Sequence, residues 1–296
     1  MNASSAPSKV PFKYRMLRTC MPILEKFSPT LIGKIGARMF LTPLRFPIPE
    51  KEEHLRSLAE QSHFKSGNTD VYGYIWGKEN NGKKILLMHG WASRASHFTS
   101  LIETAVENGD TVYAIDAPGH GQSQGKQSDV IQFAQAILDW EQRVGKFDIG
   151  IGHSMGGTAL LYAMTRGLSL QHLCLLAVPA VESEIIKVYC DKLNISEAAG
   201  QRIINTLEKR FQAPFKKYTA SYLAESISPQ SVALFFDRND KEVSEKNAQV
   251  LHDKLTQSKL FWVESYGHAK MLGDNILAKQ ILDNARESVK EMEELI

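Results

Sequence analysis

The chain reads as an α/β protein. Its core is a doubly wound, mainly parallel sheet, with an N-terminal helical arm and a helical cap inserted late in the sheet. Three observations predict this. From about residue 70 onward, short apolar runs alternate with stretches of helical periodicity. Residues able to do chemistry fall directly after the apolar runs, where such sheets place their sites. The alternation lapses between about 180 and 228, a helical, polar stretch with scattered aromatics and no buried run.

The sheet is predicted element by element. Val71–Gly77 alternates as an outer strand does, and Lys84–Met88 is a continuous apolar run after its lysine, as in a strand covered on both faces. Helical sequence then runs to about Glu107, where Asn108-Gly109 ends it. Thr111–Asp116 is the next strand, and a helix follows over Asp129–Val144, with Val130, Phe133, Ile137 and Trp140 on one face. A strand ending at Gly152-His153 leads into a helix over about Met155–Thr165, and His172–Ala177 is a further strand. After the cap, Ser231–Phe236 resumes the sheet. A helix over Ser244–Leu255, a strand over Leu260–Val263 and a helix from about Asn275 to Glu294 complete it.

Residues 1–69 form the arm, and 70–296 form the main domain with its cap. Residues 1–46 hold eight basic residues against Glu25 alone, a net +7. Met16, Cys20, Leu24, Phe27, Leu31, Ile35 and Met39 recur at helical spacing, and Pro22 and Pro29 should break this pattern into short helices. Two readings follow. The arm docks on an anionic membrane surface, or its apolar stripe packs on the rest of the protein; the second is the more common fate of such a stripe. Glu50–Phe64 reads as a further helix.

Composition narrows the function classes. With 43% hydrophobic and 23% charged residues in 296, a packed domain is expected, and a net charge of +2 does not suggest a nucleic-acid partner. The start, Met1–Pro7, is polar and unlike a secretory signal, and no run reaches the length of a membrane span. Cys20, Cys174 and Cys190 are odd in number and lack a Cys-x-x-Cys, so reduced, buried thiols and a cytoplasmic location are expected. Neither His-x-His-x-Asp nor His-Glu-x-x-His occurs, and Gly119-x-Gly121 lacks the third glycine of a dinucleotide loop, so neither a metal nor another cofactor is expected. Oligomeric state is not legible.

The chemistry centres on Gly152-His153-Ser154-Met155-Gly156, the G-x-S-x-G pattern of a nucleophile elbow. A serine hydroxyl is a poor nucleophile unless held beside a base and an oxyanion site. A sharp strand-to-helix turn holds it so, and the helix that follows aims its first amides at developing negative charge.

With His89-Gly90-Trp91, Asp116-x-Pro118-Gly119-x-Gly121-x-Ser123, the elbow, and a late acid followed by Gly267-His268, the chain resembles the α/β-hydrolase fold serine hydrolases, in their esterase/lipase-like branch. The resemblance covers roughly residues 70–290. It implies an α/β-hydrolase fold and the chain order nucleophile, acid, histidine: Ser154, then Asp240 or Asp237, then His268. Asp240 is favoured because Val243 supplies the family's small apolar residue three positions later. The resemblance also implies that the oxyanion donors are the backbone N–H groups of Trp91 and Met155. The Trp91 ring either lines the acyl pocket or packs in the core. Asp116, His89 and His153 are read as structural, His120 as a loop residue, and Arg94 as a solvated side chain rather than an anion contact.

The expected activity is hydrolysis of a small-molecule carboxylic ester through an acyl-enzyme. The acyl group should be small or medium, because the cap limits access and no lipase-type interfacial surface is evident. A thioesterase, an amidase or a C–C hydrolase would use the same triad. A haloalkane-type enzyme would need aspartate at position 154. A non-catalytic binding protein of the same fold commonly loses a triad member, and here all three are present.

Overall fold

The computed structural model describes residues 12–227 and 231–294. In chain order the helices are α1 (Phe12–Phe27), α2 (Pro29–Phe40), α3 (Glu50–Ser57), α4 (Thr99–Glu107), α5 (Val130–Val144), α6 (Met155–Met164), α7 (Glu182–Leu193), α8 (Glu197–Phe211), α9 (Ala220–Ala224), α10 (Glu245–Lys254), α11 (Gly267–Lys270) and α12 (Asn275–Glu293). The strands are β1 (Glu60–Ser66), β2 (Thr69–Trp76), β3 (Lys84–Met88), β4 (Thr111–Asp116), β5 (Ile149–His153), β6 (His172–Leu176), β7 (Val232–Asp237) and β8 (Ser258–Val263).

The chain divides into two compact units. One joins the residues through Phe40 with Ser183–Phe215, and the other holds Leu41–Glu182 and the chain from Lys216 onward. In the larger unit the eight strands lie in the order β1-β2-β4-β3-β5-β6-β7-β8. β1, β2 and β4 pair antiparallel, and every pairing from β4 to β8 is parallel. Along β3, Leu86 and Met88 enter the core beneath α5 and α6, while Ile85 and Leu87 enter the core beneath α4 and α12. β7 divides in the same way, with Val232, Leu234 and Phe236 on one face and Ala233 and Phe235 on the other. Two covered faces explain why these strands are apolar without alternation. The aspartate side chains of Asp129 and Asp274 cap α5 and α12 by accepting the N–H groups of Gln132 and Leu277.

The strand order reverses at β3, which has β4 on one side and β5 on the other. A sheet of this kind opens a crevice at the carboxyl ends of the strands flanking such a reversal. The turns after β3 and β5 carry Gly90-Trp91 and Ser154.

Several expectations differ from the structure. Glu50–Phe64 is helical only over α3; Glu60–Ser66 is an edge strand antiparallel to β2. Only Phe64 and Ser66 of that strand are buried, so it carries no apolar run to betray it. Pro22 does not end a helix, because α1 runs through it. Met21 and Leu24, on either side, pack with Leu193 and Ala199 of α7 and α8, which offsets the one backbone hydrogen bond a proline removes. Pro29 is the first residue of α2, where a missing N–H costs nothing. Within the smaller unit α2 packs on α8, and within the larger one α9 packs on α6 and α10. Gly33 and Gly36 let α2 approach Arg202, Ile203 and Thr206 of α8 closely. The three cysteines are free, but only Cys174 and Cys190 are buried; Cys20 is exposed. Among the described residues no helix is long and apolar enough to cross a membrane.

Candidate active site

Ser154 directly follows β5 with φ 52° and ψ −125°, a backbone conformation a non-glycine residue adopts only under constraint. Its N–H donates to Leu176 O at 2.8 Å, which ties the turn to β6. A Cβ on Gly156 would stand 2.1 Å from Met88 O, so only glycine lets α6 start this close to β3. A Cβ on Gly90 would lie 3.0 Å from both Ser154 Cβ and His153 Nδ1, so the backbone entering Trp91 passes directly beside the serine. Non-glycine residues with positive φ recur at the carboxyl ends of other parallel strands: Ala92 after β3, Ala177 after β6 and Ser265 after β8. Such constraint gathered in one place is typical of a functional site.

The structure brings Ser154, His268 and Asp240 together. His268 Nε2 lies 3.0 Å from Ser154 Oγ, and His268 Nδ1 lies 2.8 Å from Asp240 Oδ2. Asp240 Oδ1 accepts the N–H groups of Glu242 and Val243. Burial pushes the Asp240 pKa up, but the hydrogen bond and charge of His268 and these two amides outweigh it. The carboxyl is held below its usual range. An ionised acceptor at Nδ1 selects the tautomer that carries its proton there and leaves Nε2 free to accept from the serine.

Asp237, the rival acid, does other work. Its Oδ2 accepts from Tyr266 N and Gly267 N at 2.6 Å each, and its Oδ1 accepts from Asn239 N at 2.7 Å. It anchors the backbone that carries His268. His153 Nε2 lies 2.8 Å from the carbonyl oxygen of His268 and holds the same segment from the other side. Burial first, and then the nearby His268, keep the His153 pKa well below the histidine norm, so its ring is neutral and donates from Nε2.

Asp116 does not reach the serine. Its carboxylate accepts Ala95 N, Gln122 N and Tyr74 Oη, so it orders the turns after β3 and β4. His89 joins the same two turns, donating from Nδ1 to Gly90 O at 2.7 Å and accepting Ala117 N at 3.0 Å on Nε2. His120 lies in its predicted loop but is buried, with its ring edge-on to Trp91 and Phe133. The Trp91 ring is half-buried and packs on the main core together with Met155. Arg94 is not a solvated cation. It pairs with the largely buried carboxylate of Glu52 at 2.6 Å and donates to Phe46 O. Arg45, which carried no motif, donates to Gly121 O, Ser123 O and Gly125 O and so clamps the loop after β4.

His89 also makes stability depend on pH. It is fully buried, and burial pushes its pKa down to about 4. An unfolded histidine titrates at about 6.5. The folded state therefore favours the neutral ring, and this contribution is complete above the unfolded value and lost as pH falls toward the folded one. The loss amounts to about 3 kcal/mol. The thermal midpoint is expected to fall between neutral pH and mild acid, and to fall less in His89→Asn. A midpoint equally flat in both proteins would remove His89 as the cause.

A doubly wound sheet with a strained serine at the reversal, hydrogen-bonded to a histidine and through it to a carboxylate, is the architecture of an α/β-hydrolase. The profile of the serine aminopeptidase S33 family matches residues 79–259, and the chain belongs to that family of serine hydrolases. A serine hydrolase-like protein of Danio rerio is 34% identical over 99 residues, 30% of this chain and 28% of that one. A monoacylglycerol lipase of Mycolicibacterium smegmatis is 27% identical over 108 residues, 33% of this chain and 39% of that one. The chain thus matches well under half the length of these curated relatives. A solved esterase of Pyrococcus furiosus superposes with a TM-score of 0.64 at 16% identity, over 85% of this chain and 97% of that one, a likeness of fold.

Proposed function

We propose that the protein is a carboxylesterase that cleaves a small or medium acyl ester through an acyl-enzyme, without a cofactor. The observation that carries this reading is the unbroken hydrogen-bond chain from Ser154 Oγ through His268 to Asp240. Ser154 Oγ attacks the acyl carbon as its proton passes to His268 Nε2. The carbonyl oxygen becomes an oxyanion facing the N–H groups of Trp91 and Met155. Collapse of the tetrahedral intermediate breaks the bond to the alkoxide, which takes the proton from Nε2 and leaves. Water then repeats the sequence on the acylated serine, giving the carboxylic acid and free Ser154. Asp240 holds the histidine tautomer and stabilises the imidazolium without taking its proton.

A thioesterase, an amidase or a C–C hydrolase would differ only in the leaving group. A relative named monoacylglycerol lipase lends weight to the ester. The free, buried thiols of Cys174 and Cys190 fit the reducing conditions of a cytoplasm.

The test is a fluorophosphonate probe followed by a substrate panel. One probe is expected to attach per chain, at Ser154. Turnover of p-nitrophenyl acetate or butyrate should exceed that of the matching thioester and of leucine p-nitroanilide. A folded protein that neither labels nor turns over is a binding protein. Faster cleavage of the thioester or the anilide transfers the assignment to that leaving group.

A further inference from the structure

The helices α1 and α2 present two apolar faces. One is spent inside their own compact unit, where Met21, Ile32, Leu24, Ile35 and Met39 pack with Leu193, Ala199 and Tyr189. The other faces solvent: Met16 is 52% exposed, Ile23 56%, Phe27 84% and Leu31 42%. Met16, Ile23 and Phe27 are spaced seven and four residues apart, so they form one stripe along α1, with the exposed Cys20 between them. Phe27 and Leu31 flank the turn at Ser28. Among the described residues these are four of the seven large apolar side chains left exposed.

Charge points the same way. Residues 1–40 and 183–215 hold twelve basic against five acidic residues, a net +7. The chain as a whole is +2, so everything else sums to −5. The one acidic residue of the arm, Glu25, is turned onto the start of α8, where its carboxylate accepts Ser196 N and Ser196 Oγ. On α2, Lys34 and Arg38 follow Leu31 by three and seven residues and share its face, and both are exposed. Lys26 is exposed beside Phe27.

We propose that this face docks the protein on an anionic lipid bilayer. Met16, Ile23, Phe27 and Leu31 enter the boundary between headgroups and acyl chains, while Lys26, Lys34 and Arg38 meet lipid phosphates. A second copy of the chain suits the face less well, because it would bring two units of +7 together. The two readings of the arm in the sequence apply to different faces of the same two helices.

The experiment is cosedimentation of the full chain with vesicles of phosphatidylcholine alone and of phosphatidylcholine mixed with phosphatidylglycerol. Binding is expected to the mixed vesicles only, and to weaken as salt is added. The double variant Ile23→Ser with Phe27→Ser should lower partitioning by about tenfold or more. Lys26→Glu and Lys34→Glu should each lower it by at least about fivefold. Circular dichroism and the thermal midpoint of each variant are checked against the parent, and these exposed positions should leave both unchanged. Absence of the parent from the anionic pellet at low salt overturns the proposal, as does a folded variant that binds equally well. A light-scattering mass of two chains that the serine variant halves, with no vesicle binding, assigns the face to self-association instead.

Discussion

Replacing Ser154 with alanine is expected to lower kcat on a p-nitrophenyl ester by about 10⁴- to 10⁶-fold while the protein stays folded. The size of the loss follows from the geometry. Ser154 Oγ is the atom 3.0 Å from His268 Nε2, so its removal leaves the histidine with no proton to take. His268 and Asp240 then contribute nothing further, because the three groups act as one unit. Residual catalysis comes from whatever still polarises the bound ester. Stability should change little. Alanine meets the same positive φ as serine at this position, and the N–H bond to Leu176 O is kept. Initial rates normalised to folded protein and a thermal midpoint decide the matter. An alanine variant within tenfold of the parent rate would remove Ser154 from the chemistry.

The parts of the site that are legible in the sequence are those where backbone geometry dictates residue type. Gly156 must be glycine because Met88 O occupies the space a Cβ would fill, and so the elbow can be read from five letters. Strands β3, β4, β5 and β7 are legible because both faces of the sheet are covered and their interior positions carry no polar alternation. Strand β1 is invisible for the opposite reason, since an edge strand with polar residues on both faces has no pattern to show. The constrained turns at Ala92, Ala177 and Ser265 are hidden because the residues bearing positive φ there are not glycine.

Pairing between distant segments is a second thing periodicity cannot reveal. The stripe Met16, Cys20, Leu24, Phe27, Leu31, Ile35 and Met39 reads as one face, yet Leu24, Ile35 and Met39 pack against α7 and α8 while Phe27 and Leu31 stand exposed. Which residues of an amphipathic helix are covered depends on where its neighbour lies. Here that neighbour, α8, begins more than a hundred and fifty residues later in the chain. The clamp of Arg45 on the loop after β4 was likewise out of reach, because an arginine that binds carbonyl oxygens carries no motif.

The choice between Asp240 and Asp237 is the sharpest case, and two substitutions of equal size separate their roles. Asp240→Asn should lower kcat by roughly 10⁴-fold with little change in the thermal midpoint. The amide can still accept Glu242 N and Val243 N through its oxygen. What it then offers His268 Nδ1 is an N–H, which favours the tautomer with its proton on Nε2 and leaves no base for the serine. Asp237→Asn should do the reverse, costing stability first. Asp237 is buried and holds three backbone N–H groups, two of them on the oxygen that ties down Tyr266 and Gly267. Any orientation of an asparagine there sets an N–H against at least one of those donors, at a cost of about 1–3 kcal/mol. The segment carrying His268 loosens, so activity falls through misplacement of an intact base. Cooling, or a ligand that seats His268, should restore much of the rate to Asp237→Asn and none to Asp240→Asn. If Asp237→Asn instead keeps the parent midpoint and loses kcat by the larger factor, the acid is Asp237 and the 2.8 Å pair between His268 and Asp240 is incidental.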